Sequence, residues 1–130
     1  MPTDGASVLI VEDSENSAAT LEIAFLGIPG LSVLTACSGL EALRILDNGA
    51  GVRAIVTDLN MPRMDGFELI RRIRQHDRLR ATPIIVVSAD TDPDTPDRIS
   101  QLGVSAFFSK PYSPAQVRRK LEQILNATTQ

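Results

Sequence analysis

Five short apolar runs, most of them rich in β-branched residues, recur along the chain, and each is followed by a stretch punctuated like a helix. The runs are Ser7–Val11, Ser32–Ala36, Ala54–Thr57, Pro83–Val87 and Ala106–Ser109. Several are apolar almost throughout instead of alternating, as strands covered on both faces are. A first helix is expected from about Ser14 to about Gly27. Ser38-Gly-Leu-Glu41 is a capping box opening a helix that runs to about Asp47, where Asn48-Gly49 stops it. Asp65-Gly-Phe-Glu68 repeats the spacing, and Phe67, Ile70 and Ile73 then share one helical face. Ser113-Pro-Ala-Gln116 adds Pro at the first helical position, followed by Val117, Leu121, Ile124 and Leu125 at helical spacing. The helix before the fifth run has two competing starts, Asp92-Pro93 and Thr95-Pro96. Thr95 is the better cap, because Pro96 then stands in a first turn that needs no N–H from it; Gly103 closes the helix.

Strand and helix alternating five times, with no repeat or linker, is the pattern of an α/β fold: a parallel sheet with helices on both faces. At 130 residues the chain has room for one domain of ~100–150 residues, so 1–130 is expected to be a single domain. Its ordered core is expected over about 6–126. One cysteine excludes an internal disulfide, and one histidine beside it excludes the common zinc-ligand spacings. Thirteen Lys+Arg against 16 Asp+Glu give a net charge of −3, which argues against direct nucleic-acid binding. No apolar run approaches the ~20 residues of a membrane span. The opening MPTDGAS has neither the basic nor the apolar part of a signal peptide, so a cytoplasmic chain is expected.

An open parallel sheet places its site beyond the carboxyl ends of the strands. There the sequence puts Glu12-Asp13 after the first strand, Asp58 after the third, Ser88 after the fourth and Lys110 after the fifth. Two carboxylates 4 Å apart repel by up to ~4 kcal/mol at an effective dielectric near 20. A hard divalent cation removes that cost, and all-oxygen ligation suits Mg²⁺. Lys110 and Ser88 can hold phosphoryl oxygens, and a carboxylate can act as nucleophile on phosphorus.

Val8-Leu-Ile-Val-Glu-Asp13, Val56-Thr-Asp58-Leu-Asn-Met-Pro-Arg-Met-Asp-Gly66, Val87-Ser88-Ala89 and Ser109-Lys110-Pro111 follow one another in an order and spacing that resemble the receiver domain of two-component response regulators. The resemblance covers essentially the whole chain. It implies a flavodoxin-like (βα)5 fold with strand order 2-1-3-4-5. It implies Asp58 as phosphoacceptor, with Glu12, Asp13, Asp58 and the backbone carbonyl of Asn60 holding Mg²⁺. Ser88 and Lys110 would hold the phosphoryl group, Ser88 and Phe107 would form the switch, and Asn60 and Asp90 would modulate hydrolysis. The Lys110–Pro111 bond is often cis in the family.

The resemblance also implies partners. A histidine kinase or a histidine phosphotransfer protein would donate the phosphoryl group, and the domain itself would catalyse its transfer and later hydrolysis. A downstream target would read the face of the fourth helix, fifth strand and fifth helix, where Tyr112 and Arg118 are candidate contacts. Gly103-Val-Ser-Ala-Phe107 lacks the Asp pair of receivers that dimerise there, so a monomer is expected, a switch-face dimer being the alternative. A phosphohydrolase with an Asp nucleophile, of the haloacid-dehalogenase type, would need a second Asp two positions after Asp58, where Asn60 stands. A pseudo-receiver would be expected to lose Asp58, Lys110 or the acid pair, and all are present. His76, at a helix C-terminus, and Cys37, beside a strand, read as structural, while Arg118-Arg119-Lys120 reads as a solvated helix face with partner docking as the alternative.

Overall fold

The computed structural model describes residues 6–49 and 51–128, with the side chain of Thr128 excepted. The order of elements is β1 (Ser7–Val11), α1 (Glu15–Phe25), β2 (Ser32–Ala36), α2 (Gly39–Asp47), β3 (Val52–Thr57), α3 (Gly66–Gln75), β4 (Ile84–Ser88), α4 (Thr95–Gln101), β5 (Ala106–Ser109) and α5 (Pro114–Thr128). All pairings are parallel, and the sheet runs β2-β1-β3-β4-β5. This is the flavodoxin-like order the resemblance implies.

The nearly continuous apolar runs have a direct cause. Successive strand residues point to opposite faces, and both faces are covered. Leu9, Val11, Ile55, Ile84 and Val86 pack under α2, α3 and α4, together with Leu46, Phe67, Ile70, Ile73 and Ile99. Val8, Ile10, Val56, Ile85 and Val87 pack under α1 and α5, against Leu21, Phe25, Val117 and Leu121. Helix starts follow their caps: Ser14, Ser38 and Asp65 accept the backbone N–H groups of Ser17, Glu41 and Glu68.

Several boundaries differ from the expectation. Helix α1 ends at Phe25, two residues before Gly27, and α5 runs on to Thr128. Strand β3 begins at Val52, because the chain pairs with Ser7 across a register irregularity at the start of β1. Pro83 precedes β4, having no N–H to give, although its carbonyl still accepts from Ile55 N at 3.0 Å. The start of α4 is a correction. Thr95 is the first helical residue, not the cap; Asp94 precedes it and caps nothing with its side chain. The Thr95 hydroxyl is buried and donates instead to Asp90 Oδ1 at 3.0 Å, a charge-assisted bond that outcompetes a cap. The Lys110–Pro111 peptide bond is cis.

Candidate functional site

Glu12, Asp13, Asp58, Ser88 and Lys110 converge at the carboxyl edge of the sheet because register aligns the strand ends. Glu12 N donates to Ala36 O, Asp58 N to Val11 O, and Lys110 N to Ser88 O, at 3.0, 3.1 and 2.9 Å. Glu12, Asp58 and Ser88 are buried, while Asp13 is exposed. One carboxylate oxygen from each of Glu12, Asp13 and Asp58 lies within 4.8 Å of the others.

The Asp58 carboxylate is held at both oxygens. Its Oδ1 accepts from Leu59 N at 2.6 Å and Asn60 N at 3.1 Å; its Oδ2 accepts from Lys110 Nζ at 2.9 Å. Lys110 Nζ also donates to Glu12 Oε2 at 3.0 Å. Helix α3 is pinned to this point by Gly66, whose N–H donates to Leu59 O at 2.8 Å. A Cβ there would come within 2.3 Å of Asp58 O, so only glycine fits. The Ser88 hydroxyl accepts from Asp90 N at 3.1 Å and from Asn60 Nδ2 at 3.4 Å. A hydroxyl has two lone pairs, so with both engaged its proton is left to donate.

Burial pushes the Glu12 carboxyl above its ordinary value against the hydrogen bond from Lys110, and the charge of Asp58 adds to the rise. Burial alone would lower Lys110, but its bonds to Asp58 and Glu12 outweigh it and raise the ammonium above its usual 10.5. One ammonium therefore serves two buried carboxylates, and Asp13 has no ion pair with it. The donor set is oxygen only, clustered and in excess of the available positive charge, which is the chemistry a hard divalent cation fits.

Residues 8–122 match the sequence model of the family described as response regulator receiver domain. The chain belongs to the receiver-domain family. It is 30% identical over 118 residues to the chemotaxis protein CheY1 of Helicobacter pylori, covering 91% of this chain and 95% of that protein. Among solved structures, a response regulator receiver protein from Pseudomonas putida superposes with a TM-score of 0.84 at 30% identity, covering 91% of this chain and 96% of that one. The signal receiver domain of a signal transduction histidine kinase from Syntrophus aciditrophicus gives 0.83 at 30% identity, covering 93% and 90%. Receivers are phosphoacceptor switches of two-component signalling; the family generally binds Mg²⁺ at an acidic pocket and interacts with histidine kinases or phosphotransfer proteins.

The remaining candidates of this receiver divide into those near the crevice and those turned away. Asp90 is half-buried, and its Oδ1 accepts from Asp92 N and the Thr95 hydroxyl, which directs it toward α4. Phe107 is half-buried on β5 and lines a hollow of about 200 Å³ with Pro96, Ile99 and Val104. Tyr112 packs against the α1/α5 core, and burial pushes its phenol up. Arg118 reaches the turn that follows α1, where its Nη1 would sit 2.9 Å from a Cβ on Gly27, and its Nε lies 3.7 Å from Glu122 Oε1. His76 lies 3.8 Å from Asp47, and Cys37 is exposed.

Sequence reasoning missed two arginines. Arg74 Nε donates to Leu102 O and its Nη2 to Gly103 O, while Nη1 donates to Arg80 O and Thr82 O, at 2.8–3.1 Å. One guanidinium thus ties the ends of α3 and α4 to the approach of β4. Arg98 on α4 stacks 3.8 Å over the Phe67 ring of α3. No local motif announces either, since the carbonyls and ring come from segments distant in sequence.

Proposed function

We propose that this receiver accepts a phosphoryl group on Asp58 from a phosphohistidine carried by a histidine kinase or a histidine phosphotransfer protein. The observation that carries this reading is the double restraint of Asp58, whose two oxygens are aimed by two backbone N–H groups and by Lys110. In the transfer, an Asp58 oxygen attacks phosphorus, the phosphorus–nitrogen bond breaks, and the imidazole leaves as its nitrogen keeps the bonding pair and takes up a proton. Lys110, freed from the carboxylate it neutralised, follows the new negative charge to a phosphoryl oxygen, and Ser88 donates its proton to another. Glu12, Asp13, Asp58 and the Asn60 carbonyl would hold Mg²⁺, which when bound offsets the charge shared by the carboxylates and the phosphoryl oxygens.

Asn60 and Asp90 border Ser88 and would tune the later attack of water. Ser88 and Phe107 would relay the new state to α4, β5 and α5, where a target protein reads it. On this reading residues 6–126 are the folded unit, it works in the cytoplasm as a monomer, and the hollow beside Phe107 belongs to the readout face. The test is phosphorylation by acetyl phosphate with Mg²⁺, followed by intact mass. The wild-type chain should gain one base-labile phosphoryl group, Asp58→Ala none, and Asp13→Asn should react far more slowly. The same adduct on Asp58→Ala would overturn the assignment.

A further inference from the structure

The segment between β4 and α4 reads Ser88-Ala-Asp-Thr-Asp-Pro-Asp-Thr95, with a hydrogen-bonding side chain at every second position from 88 to 94. The first three of these side chains accept the backbone N–H two residues on. Asp90 N donates to Ser88 Oγ, Asp92 N to Asp90 Oδ1 and Asp94 N to Asp92 Oδ1, at 3.1, 2.8 and 2.9 Å. Pro93 and Pro96 fix φ at two further positions. A connection of this kind is usually where a chain bends freely. Here it is a strut with few internal degrees of freedom.

One bond closes the strut onto the helix. Thr95, 1% exposed, donates its hydroxyl to Asp90 Oδ1 at 3.0 Å. A hydroxyl removed from water is costly to leave without a partner, and a carboxylate acceptor is the strong kind. At the same end the Thr95 N–H donates to Asp92 O at 3.1 Å, a backbone bond that does not reach Ser88; the other side-chain tethers of α4 are Arg98 on Phe67 and Arg74 at the C-terminal end. Asp90 is thus bonded at its backbone to Ser88 Oγ and at its carboxylate to the first turn of α4.

We propose that Thr95 is a positioning residue that, through Asp90, couples the orientation of α4 to the Ser88 hydroxyl at the phosphorylation crevice. The inference rests on the proposed phosphoacceptor reading and adds its route of output. When Ser88 Oγ shifts toward a phosphoryl oxygen, the Asp90 N–H follows it, and the Asp90 carboxylate draws the N-terminal end of α4 along. The helix then pivots about its opposite end, where Arg74 grips the carbonyls of Leu102 and Gly103. Phe107 and the hollow it lines move as a result of this pivot.

The test compares wild type with Thr95→Val, which keeps the shape and removes the donor, and Thr95→Ser, which keeps the donor. Asp90→Ala and Asp90→Asn repeat the contrast on the acceptor side. Each protein is titrated with beryllofluoride and Mg²⁺, a phosphoryl stand-in, while backbone NMR shifts are followed. Thr95→Val and Thr95→Ser should bind within about threefold of wild type, and free-state spectra report intact folding. In wild type, Thr95→Ser and Asp90→Asn, shifts should spread through residues 95–102. In Thr95→Val and Asp90→Ala that spread should shrink about threefold or more, within the range known for residues that carry coupling. An unchanged spread in Thr95→Val would overturn the latch while leaving the phosphoacceptor reading intact, as would loss of binding in a folded Thr95→Val. Failure of wild type itself to bind beryllofluoride would overturn both.

Discussion

The β3–α3 and β4–α4 units sit side by side on the same face of the sheet, yet they are held by different physics. Helix α3 buries Gly66, Phe67, Leu69, Ile70 and Ile73, is capped by Asp65, and packs its first residue onto the backbone of Asp58. Helix α4 has seven residues, buries only Thr95 and Ile99, and has no side-chain cap. Its remaining attachments are polar or cation–π: Asp90, Arg98 and Arg74. Apolar burial is close-packed and resists small displacement, whereas a hydrogen bond can be exchanged for another at little net cost. One unit therefore holds the acceptor still, and its neighbour is free to be reset.

The largest effect should separate the two helices directly. Ile70→Ala removes packing from the middle of the α3 core and should cost about 3–4 kcal/mol, near the middle of the range for buried isoleucine. Ile99 borders the surface hollow beside Phe107, where a cavity can collapse or fill with water, so Ile99→Ala should cost about half as much. Urea unfolding gives both numbers. Equal costs would mean that α4 is as firmly part of the frame as α3.

The charges of the first unit come next. Lys110→Met strands Glu12 and Asp58 in a buried site, which should cost about 2–3 kcal/mol at pH 7. That is below the figure for a fully buried pair, because the Lys110 side chain remains 23% exposed. Millimolar Mg²⁺ should restore most of the loss, and a deficit unaffected by Mg²⁺ would separate the ammonium from the carboxylates it bonds. The same pair predicts a pH dependence. Lys110 is raised above 10.5 in the folded chain, so its contribution is complete below pH 10.5 and is lost as pH climbs through the higher folded value. The stability gap between wild type and Lys110→Met should thus stay level from pH 7 to about 10 and close above that. A gap that closes below pH 9 would contradict the raised ammonium.

The smallest effect concerns α4 alone. Arg98→Ala removes the stacking on Phe67 and should lower global stability by only about 0.5–1 kcal/mol. Amide hydrogen exchange in α4 should rise well before that in α3. Parallel acceleration in both helices would tie them together again.

The comparison also explains what could be read in the sequence. Everything fixed by apolar periodicity or by a local cap was legible: the strand cores, the capped starts at Ser38 and Asp65, and the carboxyl-edge group of Glu12, Asp58, Ser88 and Lys110. The start of α4 was misread because a local rule, the Thr95-Pro96 cap, lost to a bond formed across the loop. The spacing of Ser88, Asp90 and Asp92 carried that information, since each side chain can accept the N–H two residues on. Arg74 and Arg98 were opaque for another reason. Their partners are carbonyls and an aromatic ring that only the folded chain brings near.

The shared counter-charge has a consequence for how the chain is made. Lys110 lies 98 positions after Glu12 and 52 after Asp58. A growing chain therefore holds both acids long before it holds the amine that reconciles them. Strands β1 and β3 can meet along their apolar lengths, but closing their upper ends buries like charges with nothing between them. That last step waits for the fifth strand, or for a borrowed cation. The ammonium on the final strand thus acts as a signature of completion: a chain cut short before it carries the acceptor but cannot shut the pocket around it.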